Sequence, residues 1–316
     1  MDPLQFFASS GLVIVAGKGG VGKTTVTAAM AIAAARLGQR VLVVELEGAS
    51  GLGPSLGFDR ALDSGTVVLR AAGERGCSGT IEGRMISPGE ALTDYLDDHG
   101  MRRLSGRLAK AGVIDVVATA APGLDDILVL GKVKQLERAG DHDLILLDAP
   151  AAGHAVTFLR SARGLADAVT VGPIATQASD VLELLRDPAR CQVVLVTLPE
   201  ETPVNELVET AFALEESVGV QLGPVVVNGL YPERTALAAA LADEEGRAGS
   251  GDDGLLEAAR FRLARQAQQA EQVARLSAQL PLAQVHLPFC FSARLGGDDL
   301  ETLADRLVDQ IGARAA

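Results

Sequence analysis

A doubly wound, mostly parallel α/β sheet with helical insertions is the fold this sequence predicts. Three observations predict it. Short apolar, β-branched runs alternate along the chain with Ala/Leu-rich stretches of helical pattern. Several of those runs, such as GLVIVAG (11–17), show no period-two alternation, which marks strands covered on both faces. The first run also leads through a glycine-rich loop straight into an Ala-rich helix.

Taken in order, GLVIVAG (11–17) is a buried strand. KTTVTAAMAIAAARL (23–37) is a helix stopped by Gly38, and RVLVVEL (40–46) is the second strand. Further strands are expected at TVVLR (66–70), DLILLDA (143–149), AVTVG (168–172), CQVVLVTL (191–198), GPVVVNG (223–229) and QVHLPF (284–289). Residues 84–139 and 231–282 carry little strand signal and much helical pattern. They read as mainly helical insertions at one edge of the sheet of a single domain spanning 1–316. The second insertion contains the linker-like EEGRAGSGDDG (244–254).

Composition narrows the partners. The 316 residues are 48% hydrophobic and only 3% aromatic, without Trp, so Ala, Val, Leu and Ile must build the core. The net charge of -13, with no run of five basic residues, argues against nucleic acid. Cys77, Cys191 and Cys290 are far apart and form no C-x-x-C, so neither a disulfide framework nor an intrachain thiolate zinc site is expected. MDPLQFFASS has no basic n-region, and no apolar run reaches 18 residues. The expectation is a cytoplasmic protein with reduced thiols and no direct membrane insertion.

GKGGVGKT (17–24) fits G-x-x-x-x-G-K-[ST] between a strand and a helix. Gly17, Gly19, Gly20, Val21 and Gly22 form a loop whose amides and helix N-terminus can face phosphate oxygens. Lys23 is expected at the β/γ-phosphates, the Thr24 hydroxyl on Mg²⁺ and Thr25 at the α-phosphate. ATP or ADP with Mg²⁺ is the ligand this implies. Lys18, five positions before Lys23, exceeds what one phosphate chain needs. Taken alone, it is either a solvated loop lysine or a second cation for the nucleotide.

KGGVGKTT resembles the deviant Walker A signature of a class of dimeric ATPases. That class includes arsenite-pump ATPases, tail-anchored-protein targeting ATPases, plasmid-partition and division-site ATPases and nitrogenase iron protein. The resemblance implies that Lys18 crosses a dimer interface to the partner's nucleotide, where a cation stabilises charge developing in phosphoryl transfer. LLDAPAAGHAVTFLR (146–160) resembles the switch signature of the arsenite-pump and tail-anchored-targeting branch. It implies an outer-sphere Mg²⁺ carboxylate at Asp148, followed by Gly153 and His154; a helix-capping carboxylate is the other reading. VVVNGLYPE (225–233) is similar to a segment whose Asn reads the adenine edge, which falls on Asn228; an Asn that only forms a turn is the alternative. HLPFCFSARLGG (286–297) loosely resembles the loop packed on the adenine, with Pro288 and Gly296 matching but no Glu between them. APGLDDILVLGKVKQL (121–136) looks like the branch's first insertion helix.

One segment departs from the branch. VELEGASGLGPSLGF (44–58) stands where the branch reads DPAHxLSDxF, so Pro54 falls on the water-positioning Asp. Glu45 and Glu47 occupy the strand-end carboxylate places of division-site ATPases. With Lys18, Glu47 and Asp148 as the catalytic set, the resemblance implies a weakly hydrolysing ATPase working as a homodimer or with a related ATPase subunit. Alternatives are a non-catalytic, nucleotide-gated binding subunit, favoured by Pro54, and a partition or positioning ATPase, opposed by DAPAAGH and the -13 charge. Neither zinc nor an iron-sulfur cluster is expected. Leu and Val within 124–136 fit a client groove or a packed core. The acid-rich C-terminal helix from Asp298 does not suit a membrane.

Overall fold

The computed structural model describes residues 6–7, 10–118, 123–169, 171–245 and 253–313. Its first half contains strand β1 (Leu12–Gly17), helix α1 (Lys23–Arg36), β2 (Arg40–Leu46), the short α2 (Leu52–Ser55), β3 (Val67–Arg70) and β4 (Thr80–Ile86). Helices α3 (Pro88–Asp98), α4 (Arg102–Ala111), α5 (Ile114–Ala118) and α6 (Leu124–Ala139) follow. Next come β5 (Leu144–Ala151), α7 (Ala152–Ala168), α8 (Pro173–Arg186), β6 (Cys191–Thr197), α9 (Glu201–Ser217) and β7 (Val225–Leu230). The chain closes with α10 (Thr235–Glu245), α11 (Asp253–Gln279), β8 (Gln284–Pro288) and α12 (Gly297–Ala313).

The strands form one sheet in the order β3-β4-β2-β5-β1-β6-β7-β8. All neighbours are parallel except the edge strand β3, which runs antiparallel to β4. From β1 the chain crosses to β2 on one side, and from β5 it crosses to β6 on the other. The C-terminal ends of β1 and β5 therefore border a crevice, the place where such sheets bind ligands.

The unpatterned apolar runs have a direct cause. Val13, Val15, Val41, Val43, Leu144 and Leu146 pack toward α1 and α12. Their strand neighbours Leu12, Ile14, Leu42, Val44, Ile145 and Leu147 pack on the opposite face with Ile127, Leu130, Phe158, Val181 and Val204. Successive side chains point to opposite faces, and both faces are covered, so both must be apolar. Helix α1 is buried along Val26–Ala35 between the sheet and α12, which a helix of small residues permits. The acid-rich C-terminal helix spends its apolar stripe, including Leu300, Leu303 and Leu307, in that packing.

Three expectations change. TIEGRMI (80–86) is a strand, paired along its length with β2, so the first helical segment begins at Pro88 rather than 84. Glu82, Gly83 and Arg84 hide it in the sequence. A Cβ on Gly83 would lie 2.6 Å from Leu69 Cδ1 and push that side chain aside, and Arg84 is satisfied by Glu90 and the Ser64 carbonyl. AVTVG (168–172) is not a strand in its described residues: α7 runs to Ala168, α8 starts at Pro173, and Val171 is 80% exposed with no sheet against it. Ile127, Leu128, Val129, Leu130 and Val133 of α6 are core, which settles the groove-or-core question for those residues. Of the run 244–254, residues 246–252 lie outside the described residues, as do Ala121 and Pro122.

Candidate nucleotide site

The loop between β1 and α1 needs its glycines for identifiable reasons. A Cβ on Gly17 would lie 2.3 Å from the Val196 carbonyl oxygen of β6. Gly22 caps α1 in the left-handed region (φ 91°, ψ 30°), and a Cβ there would lie 2.4 Å from Asn228 Nδ2. That amide donates to the Val21 carbonyl at 2.9 Å. The first turn of α1 holds no acidic side chain and no side-chain cap, so its amides remain for an anion.

Lys23 Nζ donates to the Lys18 carbonyl at 3.2 Å. Burial lowers the Lys23 pKa from its ordinary value, against the opposing pull of Asp148. Thr24 Oγ1 donates to Asp148 Oδ2 at 2.6 Å. Asp148 is 6% exposed on β5, paired in register with Val15 of β1 and Glu45 of β2. Burial pushes its pKa up to about 6; Thr24 and Lys23 oppose the rise and the Glu45 charge adds to it. Asp148 Oδ1 has no hydrogen-bond partner.

A buried, unbonded carboxylate oxygen beside a threonine hydroxyl is a hard-oxygen donor set. It fits Mg²⁺, which takes one or two protein oxygens and completes its shell with water and phosphate. Among the described residues no cluster of three or more His, Cys, Asp or Glu is placed to hold an ion alone. A cation at Thr24 and Asp148 would therefore depend on phosphate oxygens.

The other expected residues fall in different places. Lys18 does not converge on the loop with Lys23. Its Nζ lies 2.6 Å from Glu206 Oε1 on α9. Thr25 is half-buried in the first turn of α1, and Gly19 and Gly20 are exposed. Glu47 is exposed just past β2, its amide bonded to the Ile86 carbonyl. Pro54 is exposed within α2. Asn228 meets the loop, whereas Pro288 ends β8 one strand further out. His154 is exposed near the start of α7 and lowers the pKa of Asp126 on α6, which burial and Asp125 push up to about 6. The two stretches at 121–136 and 146–160 thus meet.

One group escaped the sequence reading. Tyr231, Phe289 and Phe291 cluster at the ends of β7 and β8 with ring centroids 4.8–5.2 Å apart. Arg262 of α11 lies over Tyr231 at 5.5 Å and Phe291 at 4.9 Å. The chain has only eight Phe and two Tyr, so the FCF run beside Pro288 was the available signal. Cys77, Cys191 and Cys290 are all free, and burial pushes the Cys191 thiol up to about 12.

A central parallel strand that feeds G-x-x-x-x-G-K-T into a buried helix, with a neighbouring strand's carboxylate on the threonine, defines a P-loop NTPase. The chain belongs to the anion-transporting ATPase family, whose model matches residues 11–171. It is 36% identical over 230 residues to ATPase BagA of Mycobacterium tuberculosis, covering 70% of this chain and 65% of that protein. It is 29% identical over 258 residues to the arsenical pump-driving ATPase of Escherichia coli, covering 72% of this chain and 42% of the relative. With ATPase GET3B of Arabidopsis thaliana it shares 26% over 266 residues, 69% of this chain and 64% of that one. The chain thus spans 65% or less of the length of these relatives. Among the described residues no helix is long and apolar enough to cross a membrane.

Proposed function

We propose that this chain binds Mg²⁺-ATP and hydrolyses it slowly to ADP and phosphate in the cytoplasm, as half of a nucleotide-driven dimer. The partner is a second copy or a related ATPase subunit. The observation that carries the binding half is the Thr24–Asp148 hydrogen bond with Asp148 Oδ1 left unbonded beside Lys23. Gly17, Gly19, Gly20, Val21 and Gly22 surround the phosphates, Lys23 neutralises them and Thr25 lies at the α-phosphate. Asn228 and Pro288 border the base, and the nearby rings of Tyr231, Phe289 and Phe291 extend that apolar end. Bound Mg²⁺ would supply neutralisation of the phosphate charge. Thr24 and Asp148 would hold its shell, Asp148 through water. No zinc or iron-sulfur cluster takes part.

Catalysis needs a carboxylate near the attacking water, and Pro54 offers neither carboxylate nor N–H. Glu47 is exposed in the same segment and would take that part, which supports slow turnover. Lys18 would complete the charge stabilisation in the partner's site, as its deviant Walker A position implies. In one chain its ammonium is engaged by Glu206, so that pair must open first. Pro54 also favours a second reading, a nucleotide-gated subunit whose dimer state, not turnover, is the output.

Two measurements test the proposal. Phosphate release is expected from the wild type, falling at least about tenfold in Glu47→Gln and to background in Lys23→Ala. Full activity in Glu47→Gln removes Glu47 from the mechanism, and no release from the wild type selects the gated-subunit reading. Size in solution is expected to rise with a non-hydrolysable ATP analogue and fall back with ADP. A monomer in every state, with the related subunit present or absent, sinks the dimer.

A further inference from the structure

Glu45 is 1% exposed and is the Cα partner of Asp148 across the β2–β5 ladder. A carboxylate this deep is costly unless its oxygens are bonded. Only one of them is. Oε1 accepts from the Gly51 amide at 2.7 Å and the Leu52 amide at 3.0 Å. Oε2 has no partner, and neither has Asp148 Oδ1. Two neighbouring buried carboxylates each keep one oxygen unbonded, which folding alone would select against.

The bonded oxygen matters because of what it holds. The segment after β2 contains Gly48, Gly51, Gly53 and Gly57, so its backbone has much freedom to lose. Glu45 fixes its middle and supplies an acceptor for the first amides of α2. Gly51 in turn sits against the site: a Cβ there would lie 3.3 Å from Thr24 Cγ2. Glu47 lies at one end of the held segment and Pro54 at the other. None of this follows from the position of Glu45 in a motif, since its acceptor geometry is made by the fold.

We infer that Glu45 is a positioning residue for the nucleotide site, with separate jobs for its two oxygens. Oε1 pins the segment after β2 against Thr24. Oε2 is held as an acceptor for water in the cation's shell beside Asp148. This second job rests on the proposed Mg²⁺-nucleotide reading, whereas the first does not.

The test compares wild type, Glu45→Gln and Glu45→Ala by amide hydrogen exchange at Gly51 and Leu52 without nucleotide. It adds ADP affinity by calorimetry with and without Mg²⁺. Glu45→Gln keeps a carbonyl oxygen for the two amides but loses the charge. It is expected to preserve their protection while losing at least about tenfold of the Mg²⁺ enhancement of ADP affinity. Glu45→Ala is expected to lose that enhancement too, and to exchange both amides at least about tenfold faster. Protection retained in Glu45→Ala overturns the pinning job, and a full Mg²⁺ enhancement in Glu45→Gln overturns the acceptor job. If Glu45→Ala does not fold, Glu45→Gln and the wild type decide: full Mg²⁺ enhancement in Glu45→Gln overturns the acceptor job, and wild-type Gly51 and Leu52 amides that exchange like those of an unprotected chain overturn the pinning job. A wild type that binds no ADP removes the nucleotide reading and the acceptor job with it, while the exchange result still decides the pinning.

Discussion

Two glycine-rich segments meet at Thr24, and they are held in different ways. The loop after β1 is locked from two sides, by the Val196 carbonyl against Gly17 and by Asn228 against Gly22 and Val21. The segment after β2 carries Gly48 and Gly57 at φ 90° in open space, and the Glu45 carboxylate bonds its middle. The first arrangement suits a constant task, gripping phosphates. The second suits a task that varies with ligand, because one carboxylate is easier to re-bond than two packed strands. Under the proposed function, binding and turnover would fall to neighbouring segments of unequal rigidity.

The largest expected effects fall on the locked loop. ATP·Mg²⁺ at about 100 times its Kd should stabilise the wild type by about 2.7 kcal/mol in thermal unfolding, and Lys23→Ala should abolish that gain. Equal stabilisation of both would break the contrast at once. Gly22→Ala should cost roughly 1–3 kcal/mol of stability in denaturant titration, since it is both left-handed and crowded by Asn228. A neutral result would mean the loop is looser than its contacts imply.

Asp148 joins the two segments, and pH probes it. Its pKa is raised to about 6, so it is protonated below that and ionised above. Mg²⁺-dependent ADP affinity should therefore fall as pH drops through about 6, and Asp148→Asn should flatten that dependence. The stability sign is opposite to that of a salt-bridged Asp. The folded pKa lies above the ordinary aspartate value of 3.8, so this group's contribution is most favourable at low pH and declines as pH rises from about 4 to about 6. At neutral pH, without ligand, Asp148→Asn should match or exceed wild-type stability in denaturant titration. A clear loss would show that Thr24 needs the charge even when no cation is bound.

The smallest stability effect belongs to Glu206→Gln. The Lys18–Glu206 pair is over a third exposed, so breaking it should change stability by less than about 0.5 kcal/mol. If Glu206 restrains Lys18, the variant should instead need less non-hydrolysable ATP analogue to dimerise. An unchanged dimerisation midpoint would assign the pair to surface decoration.

What could be read in advance follows the range of the interactions. The phosphate loop, α1 and the strand carrying Asp148 are set by local spacing, and they stand where the motif and apolar runs put them. β4 was hidden because Glu82, Gly83 and Arg84 interrupt its apolar run, and their places are set mainly by distant groups: His142 on Glu82, Leu69 against Gly83, and the Ser64 carbonyl with the nearer Glu90 on Arg84. AVTVG misled for the converse reason: its residues suit a strand, but α7 continues to Ala168 and Pro173 starts the next helix. Lys18 and Glu206 are 188 positions apart, so nothing local joins them. Glu45 was visible as a strand-end carboxylate, but its grip on Gly51 and Leu52 appears only once the segment folds back over Thr24.

Calorimetry of ATP with and without Mg²⁺, on wild type, Asp148→Asn and Lys23→Ala at neutral pH, tests the central claim most directly. The claim predicts one site per chain, tightened by Mg²⁺ in the wild type, little tightened in Asp148→Asn and absent in Lys23→Ala. Binding of unchanged affinity in Lys23→Ala, or none in the wild type, would contradict it.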